Sequence, residues 1–285
     1  MSKRPAVMLV MPHYGGDVAI ESAMALFSEA TFDPAFEDKR DILIADHGSS
    51  LLANTFNNLW CLALNWHEKH PDQEITHFAM LHADVGPEPI RDEHGTAVKG
   101  WLDILFEELE ATDADICSAV IPIKSKDGVT STAISSTDPF RVTRRLTMAE
   151  VMQLPPTFDA EACGYPGETI LANTGCWLCR FDRLWKYDVH FEINDKIIRD
   201  QSGQYVPKCE PEDWNFSRQV WKHGGKIVAT RKVPIRHIGR SGFRNDSSWG
   251  EAIQDHMANG VPLPALANRQ PTNGKPRESV VLARV

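Results

Sequence analysis

The sequence predicts an α/β protein with an open, mostly parallel, twisted sheet flanked by helices, in a single domain with a C-terminal tail. Two observations support this fold class. A continuous apolar run at residues 6–11 is closed by a proline and a glycine pair, and strands, polar loops and helices then alternate up to residue 121. Such alternation is typical of a parallel sheet with right-handed crossovers. A length of 285 residues suits one α/β domain.

The elements of the first half follow from their apolar patterns. The run at 6–11 predicts a strand buried on both faces, because parallel strands are covered by helices on both sides. A helix over 18–30 places Ile20, Met24 and Phe27 on one face. The later elements are a strand at 41–46, a helix with Leu52, Phe56, Leu59 and Ala63 on one side, a strand at 77–81, a helix near 101–109 and a strand at 115–121.

The pattern changes after Pro122. Residues 124–168 are rich in Ser, Thr, Pro, Asp and Gly, with one helical stretch near 147–153, so we expect a mobile excursion over one end of the sheet. The remaining predicted elements are an ordered segment at 170–181, a short helix at 183–187, a helix at 212–223 that ends at a glycine pair, and a strand at 226–230. The Asn-, Pro- and Arg-rich residues beyond Ser247 predict a loosely packed tail.

Composition narrows the class of protein. A formal net charge of −9 argues against a protein that mainly coats nucleic acid, because such binding depends on Lys and Arg. No apolar run approaches the length of a membrane span, and the first strand lacks a signal-cleavage pattern, so we expect a cytoplasmic protein. Its six scattered cysteines do not resemble a disulfide framework. Cys176 and Cys179 would point to opposite faces of a strand and could not share a metal.

Ligands of open parallel sheets lie at the carboxyl ends of the strands, which selects the loops 12–17, 46–50, 82–87 and 122–126. In the third loop His82 and Asp84 emerge on the same side of an extended chain. A divalent ion that bridges a diphosphate needs a carboxylate in such a place. The alternative for Asp84 is a turn or helix-capping residue.

A second acidic group precedes the helix at 212–223. Glu210, Glu212 and Asp213 bring three carboxylates within four residues, which raises at least one pKa if they share a desolvated cleft. The alternative is that they cap the helix and complement its dipole. Further along the chain, His237 lies in a short apolar run, where it is either a functional residue or a packed core histidine.

The order of these segments resembles a known family. Strand-ending Pro12 is followed by SSLLAN, THFAMLHADVGPEP, ANTGCWLCRF, EDWNFSRQVWKHGGKI and VPIRHIG. Over residues 7–240 this order is similar to that of the nucleotide-sugar-dependent glycosyltransferases of the GT-A fold. The resemblance implies a GT-A-like domain at 1–245, with a nucleotide-binding half (1–123), an acceptor-binding, catalytic half (124–245) and a tail at 246–285.

The resemblance also implies roles for individual residues. Asp84, with His82, would meet a divalent metal, and His237 would be a later ligand. His82 replaces the first acidic residue of the family's DxD motif, which favours Mn²⁺ over Mg²⁺ because imidazole is a softer ligand than carboxylate. Glu212 or Asp213 would be the general base. The expected donor site comprises Pro12, Tyr14, Asp46, Ser50, Asn54, His82, Lys124, Gly175 and Arg236. From their chemistry, Tyr14 would stack on the donor base and Asp46 would accept a hydrogen bond from a ribose hydroxyl; the alternative for each is a surface loop residue.

We therefore expect a metal-dependent, inverting hexosyl- or pentosyltransferase that uses a UDP- or GDP-sugar. The acceptor hydroxyl would belong to a glycan, a protein, a lipid-linked sugar or a modified DNA base. One alternative is a nucleotidyltransferase acting on sugar phosphates, although the loop after the first strand lacks the length and the cation that hold a triphosphate. Another is a non-catalytic nucleotide-sugar-binding module.

Overall fold

A computed structural model describes residues 5–28, 40–135, 144–200, 202–239 and 242–250. In these ranges the α-helices are α1 (Ile20–Phe27), α2 (Leu52–Lys69), α3 (Trp101–Ala111), α4 (Met148–Val151) and α5 (Glu212–Lys222). The strands are β1 (Ala6–His13), β2 (Asp41–Gly48), β3 (His77–Leu81), β4 (Val85–Pro87), β5 (Ile90–Arg91), β6 (Ala97–Lys99), β7 (Ile116–Ala119), β8 (Val129–Ser135), β9 (Arg144–Thr147), β10 (Thr157–Phe158), β11 (Thr169–Leu171), β12 (Cys176–Arg180), β13 (Asn194–Arg199), β14 (Tyr205–Glu210), β15 (Ile227–Thr230), β16 (Ile235–Ile238) and β17 (Gly242–Arg244).

The central sheet of the described residues has seven strands in the order β10-β15-β7-β12-β3-β1-β2. β1 pairs in parallel with β2 and β3, and β7 pairs in parallel with β15. β12 is antiparallel to both β3 and β7, and β10 is antiparallel to β15. The protein is thus a mixed α/β domain, and the predicted mostly parallel sheet is replaced by a mixed one.

The antiparallel strand β12 is the main departure from the predicted topology. Cys176–Arg180 is almost entirely buried, as a central parallel strand would be. An apolar run reveals that a strand is covered on both faces but does not reveal its direction. The expected ordered segment 170–181 is also divided, because β11 belongs to a separate three-stranded sheet with β8 and β9.

Two apolar layers cover the central sheet. Alternate residues of β1 enter different layers, with Met8 and Val10 on the side of α2 and α5, and Leu9 on the side of α1 and α3. Cys176 and Cys179 likewise contribute to opposite layers, as predicted from their spacing. Burial on both faces explains why these strands have continuous apolar sequences.

Residues 124–168 are more ordered than predicted, wherever they are described. Val129–Ser135 and Arg144–Thr147 pair as β8 and β9, and Thr147 forms a capping box with Glu150 at the start of α4. Ile134, Leu146 and Met148 are buried in the main core. The centre of the predicted excursion, residues 136–143, lies outside the described residues.

The apolar stripe of α1 faces outward. Ile20, Met24 and Phe27 are all more than half exposed, whereas the helix buries Ser22, Ala25 and Leu26. The predicted grouping on one face is therefore right, but that face does not pack on the core. The last residues of the predicted helix, 29–30, lie outside the described part of the chain.

The described residues end at Gly250, so most of the predicted tail, 251–285, lies outside them. Trp249 still packs on the domain, since its indole nitrogen donates to the backbone carbonyl of Arg244 at 2.7 Å. Across the described ranges, no helix combines the length and the apolar character that crossing a membrane requires.

Candidate functional site

The predicted loops meet at one edge of the central sheet. β1, β2, β3, β7 and β15 run in the same direction, so their carboxyl ends lie together, and β12 begins at this edge because Cys176 is paired with Leu81. Backbone bonds also connect the loops, since the amide of Ala83 donates to Pro12 at 3.4 Å and the amide of Ala19 donates to Ala83 at 2.7 Å. The rule that ligands bind at carboxyl ends therefore selects a compact region.

Asp84 and His237 are brought together at this edge by strand pairing. β4, which follows Asp84, pairs with β16, and the backbone amide of Ile238 donates to the carbonyl of Asp84 at 2.8 Å. The His237 Nε2 atom is 3.6 Å from Asp84 Oδ2, and the Lys124 ammonium forms an ion pair with the same oxygen. Three of the predicted residues thus form one cluster.

The tautomer of His237 follows from its other ring nitrogen. Nδ1 lies 2.7 Å from the carbonyl oxygen of Pro122, which can only accept a hydrogen bond. Nδ1 therefore carries a proton, and Nε2 is directed toward Asp84. A backbone carbonyl behind a histidine is the usual arrangement that orients a metal-binding imidazole.

Asp84 is strongly stabilised as a carboxylate. Burial alone would raise its pKa, but the adjacent His237 and Lys124 side chains hold the pKa well below its usual range. Asp84 is therefore ionised at every pH at which the protein would be studied, which suits a residue that binds a cation.

His82 is the buried member of the cluster. Its ring lies 5.1 Å from that of Phe56, and its Nε2 atom is buried with no hydrogen-bond partner among the described residues. Burial, opposed by the charge of Asp84, lowers the pKa of His82 to about 4, so the ring is neutral near pH 7. A buried polar atom without a partner is costly and calls for an explanation.

The cluster fits a metal ion in part. Asp84 Oδ2 and His237 Nε2 converge, and the orphaned nitrogen of His82 is nearby, which is a donor set that suits Mn²⁺. Across the described ranges, no group of three His, Cys, Asp or Glu side chains is already arranged to hold an ion. Lys124 neutralises Asp84 in this arrangement.

The turn before β12 connects this cluster to the second acidic group. The amide of Gly175 donates to the Asn173 side chain at 2.7 Å, and its carbonyl accepts from the amide of His82 at 2.8 Å. A Cβ atom on Gly175 would lie 2.7 Å from both Asn173 Oδ1 and Ile121. Only glycine therefore fits where these three segments approach each other.

Asp213 lies at the other end of this connection, because the Asn173 amide nitrogen is 3.5 Å from Asp213 Oδ2. Asp213 is only 7% exposed, and no cation of the described residues forms an ion pair with it. Burial, together with the charge of Glu212, raises the pKa of Asp213 to about 8. The predicted rise of at least one pKa in this acidic group is therefore present.

The three neighbouring carboxylates have different surroundings. Glu212 is also buried, and burial raises its pKa. Glu210 forms an ion pair with Arg218 and does not crowd Asp213 as the sequence suggested. The capping alternative is only partly met, since the N-cap of α5 is Pro211, although Asp213 Oδ1 accepts from the next backbone amide at 2.8 Å.

The predicted donor residues of the first two loops occupy the same edge. Tyr14 is 72% exposed, Pro12 is buried, and Ser50 and Asn54 are exposed at the start of α2. The Asp46 carboxylate is largely exposed and lies 3.3 Å from His13 Nε2.

Arg236 is not brought to the Asp84 cluster. It is adjacent to His237 in a strand, so the two side chains point to opposite faces. Its guanidinium lies 3.7 Å from both Glu21 and Glu88. The prediction that Arg236 faces the donor is therefore not supported by this geometry.

Three residues that contact or influence the predicted ones were not singled out from the sequence, namely His13, Asn173 and Arg145. His13 packs so closely on Gly48 that a Cβ there would lie 2.2 Å from the imidazole ring. Asn173 lies two residues before Gly175 in the ANTGCWLCRF segment, so it could have been named as a candidate site residue along with Gly175. Arg145, whose charge acts on Asp213, lies in the segment that was predicted to be mobile.

Comparisons with known proteins add little to this geometry. No protein-family model matches the chain, and no curated protein matches it. Among solved structures, the chain is similar to the crystal structure of A197 from STIV, with 11% identity, a TM-score of 0.42, and coverage of 87% of this chain and 94% of that chain.

Proposed function

We propose that the protein is a glycosyltransferase that moves a sugar from a nucleoside diphosphate sugar to an acceptor hydroxyl. The observation that carries this proposal is a carboxyl group with a raised pKa, Asp213, linked through one turn to a histidine–aspartate pair at the carboxyl edge of the sheet. An acid–base group beside a cation-binding corner is what the transfer requires.

Asp213 acts as the general base. Its Oδ2 takes the proton of the acceptor hydroxyl as that oxygen attacks the anomeric carbon, while the bond from this carbon to the diphosphate oxygen breaks. A single displacement inverts the anomeric centre. Trp214 follows Asp213 directly and is also only 7% exposed. Such burial keeps bulk water from competing as the acceptor.

Asp84 and His237, with His82 behind them, would hold a divalent ion, Mn²⁺ in preference to Mg²⁺ because of the imidazoles. When bound, such an ion offsets the negative charge that develops on the departing diphosphate. Lys124 is a second cation at this position and would move from Asp84 to a phosphate oxygen when donor binds.

The donor nucleoside would lie along the first two loops. Tyr14 is exposed and can stack on the base, and the Asp46 carboxylate can accept a hydrogen bond from a ribose hydroxyl. We retain UDP- and GDP-sugars as donors.

A cytoplasmic location is part of the proposal. All six cysteines lie in described residues, and none of them is joined in a disulfide. Two of them, Cys117 and Cys179, are fully buried, and burial raises their pKa well above the usual range, which makes them unreactive. Free thiols throughout a chain are typical of a reducing compartment.

The proposal is tested with a panel of UDP- and GDP-sugars, with and without Mn²⁺. One donor should raise the melting temperature, because it binds only the native state, and NMR of the product formed with an acceptor library should show an inverted anomer. The matched variants are Asp84→Asn at the site and Asp92→Asn in an exposed turn remote from it. Absence of any donor response, or an equal response in both variants, would contradict the proposal.

A further inference from the structure

β9 contains two adjacent arginines with different surroundings. Arg144 forms an ion pair with Glu150 and a hydrogen bond to the Tyr165 hydroxyl, and its guanidinium lies 5.5 Å from the centre of the Tyr165 ring. These contacts account for Arg144 as a structural residue that fixes α4 on the strand.

Arg145 is on the opposite side of the strand. Its guanidinium carbon is 4.6 Å from the ring centre of Trp214, and the side chain is half-buried. Among the residues that the structure describes, it has neither an ion pair nor a side-chain hydrogen bond. A guanidinium has five N–H donors, and those of Arg145 are not buried, so they remain accessible to solvent or to a ligand.

Trp214 provides a fixed platform for this cation. Its indole nitrogen donates to the carbonyl oxygen of Ser131 at 3.0 Å, and the ring packs with Ala133 and Leu171. Arg145 is therefore held over one face of the ring, which limits the directions in which its donors point.

Asp213 immediately precedes this platform. The positive charge of Arg145 lowers the pKa of Asp213, although burial dominates and keeps it high. The two groups interact electrostatically, yet they form no ion pair. A ligand that offers a hydroxyl to Asp213 and an anionic group to Arg145 would engage both side chains.

We propose, on the basis of the glycosyl transfer proposed above, that Arg145 binds an oxyanion carried by the acceptor, next to the hydroxyl that Asp213 deprotonates. The planar guanidinium can bind a phosphate or carboxylate through two parallel hydrogen bonds. The acceptor is thus an anionic molecule, and its anion positions the hydroxyl at Asp213.

The test measures the melting temperature of the full chain during titration with inorganic phosphate and, separately, with acetate, at constant ionic strength. A nucleoside diphosphate is present throughout to fill the donor site. The wild type should be stabilised by the anion that matches the acceptor, phosphate or acetate. Arg145→Gln should abolish that stabilisation.

Arg199→Gln is the matched control, because Arg199 also lies over an aromatic ring, 4.5 Å from the centre of Tyr205, but in an exposed hairpin. It should respond as the wild type does. Arg145→Lys retains the charge but lacks the planar guanidinium, so it should weaken anion binding about tenfold. If Arg145→Gln does not fold, the Arg145→Lys variant still tests the proposal.

A response of the same size in Arg145→Gln, or no response of the wild type to either anion, would overturn the assignment. Failure of the glycosyl-transfer proposal is seen separately, because the nucleoside diphosphate would then give no shift of its own before anion is added.

Discussion

Asp84 and Asp213 are the same residue type at the same edge of one sheet, and their surroundings drive their acid–base behaviour in opposite directions. Asp84 is contacted by Lys124 and His237, which hold its pKa low, whereas Asp213 is buried beside Glu212, and its pKa rises to about 8. Under the proposed function, the ionised Asp84 would bind a cation and Asp213 would take a proton. The difference shows that neighbouring groups set the acidity of a carboxyl group, as in other sites with paired carboxyls.

The largest effect should come from removing the proton acceptor. Asp213→Asn should lower the rate by about 10² to 10⁴-fold while leaving donor affinity near wild type, because a general base acts only on the chemical step. In the wild type the rate should rise with pH through an apparent pKa near 8, the pH at which Asp213 loses its proton. A pH–rate profile checks both.

The control for that experiment is Glu212→Gln, which retains burial and removes the neighbouring charge. Because Glu212 raises the pKa of Asp213, this variant should shift the profile to lower pH and keep most of the activity. Full activity of Asp213→Asn would remove Asp213 from the mechanism.

The next prediction concerns the cation-binding role proposed for Asp84. Asp84→Ala should weaken Mn²⁺-dependent binding of a nucleoside diphosphate by at least about tenfold, since losing one carboxylate ligand from a site with few ligands is costly. Calorimetry with Mn²⁺ and with EDTA measures this. Equal affinities under the two conditions in the wild type would show that no metal is involved.

A smaller effect is expected at Lys124, whose ammonium is paired with Asp84 and would compete with the proposed metal ion. Lys124→Met should tighten Mn²⁺ binding by about three- to tenfold in the absence of nucleotide, because a local cation is removed from the site. The matched control is Lys126→Met, two residues further along the loop and exposed. Electron paramagnetic resonance of free Mn²⁺ reports the affinity directly, and unchanged binding would show that Lys124 does not compete.

The smallest effect concerns stability. The raised pKa of Asp213 means that the folded state binds its proton more tightly than the unfolded state does, so this residue lowers stability progressively as pH rises from about 4 to about 8. Asp213→Asn should therefore be a few °C more stable than wild type at pH 8.5, with a smaller difference at pH 5. Thermal melts at the two pH values test this, and a difference that does not grow with pH would contradict a raised pKa.

The sequence was sufficient to predict that the loops after β1, β2, β3 and β7 leave the same edge of the sheet, because each strand is recognisable as an apolar run followed by a polar loop. The direction of β12 was not predictable, since a run buried on both faces looks the same in either direction. The three-stranded sheet that brings His237 to Asp84 depends on pairing between β4 and β16, which no local pattern specifies.

Two differences from the expected arrangement have simple physical reasons. Arg236 and His237 were both expected at the site, but adjacent residues of a strand point to opposite faces, and Arg236 lies against Glu21 and Glu88. Glu210 was counted with Glu212 and Asp213, whereas β14 ends at Glu210 and holds it against Arg218. In α1 the apolar period was read correctly, but period alone does not specify which face meets the core.

The position of β12 has a consequence for the order in which the chain can fold. β3 and β7 are joined in the central sheet only through β12, which is made more than 50 residues after β7. Until Cys176–Arg180 leaves the ribosome, both strands expose unpaired backbone edges that invite pairing with other chains. The sheet must therefore be closed late by a distant segment, a topology with many non-local contacts that favours slow folding and a need for protection of the nascent chain.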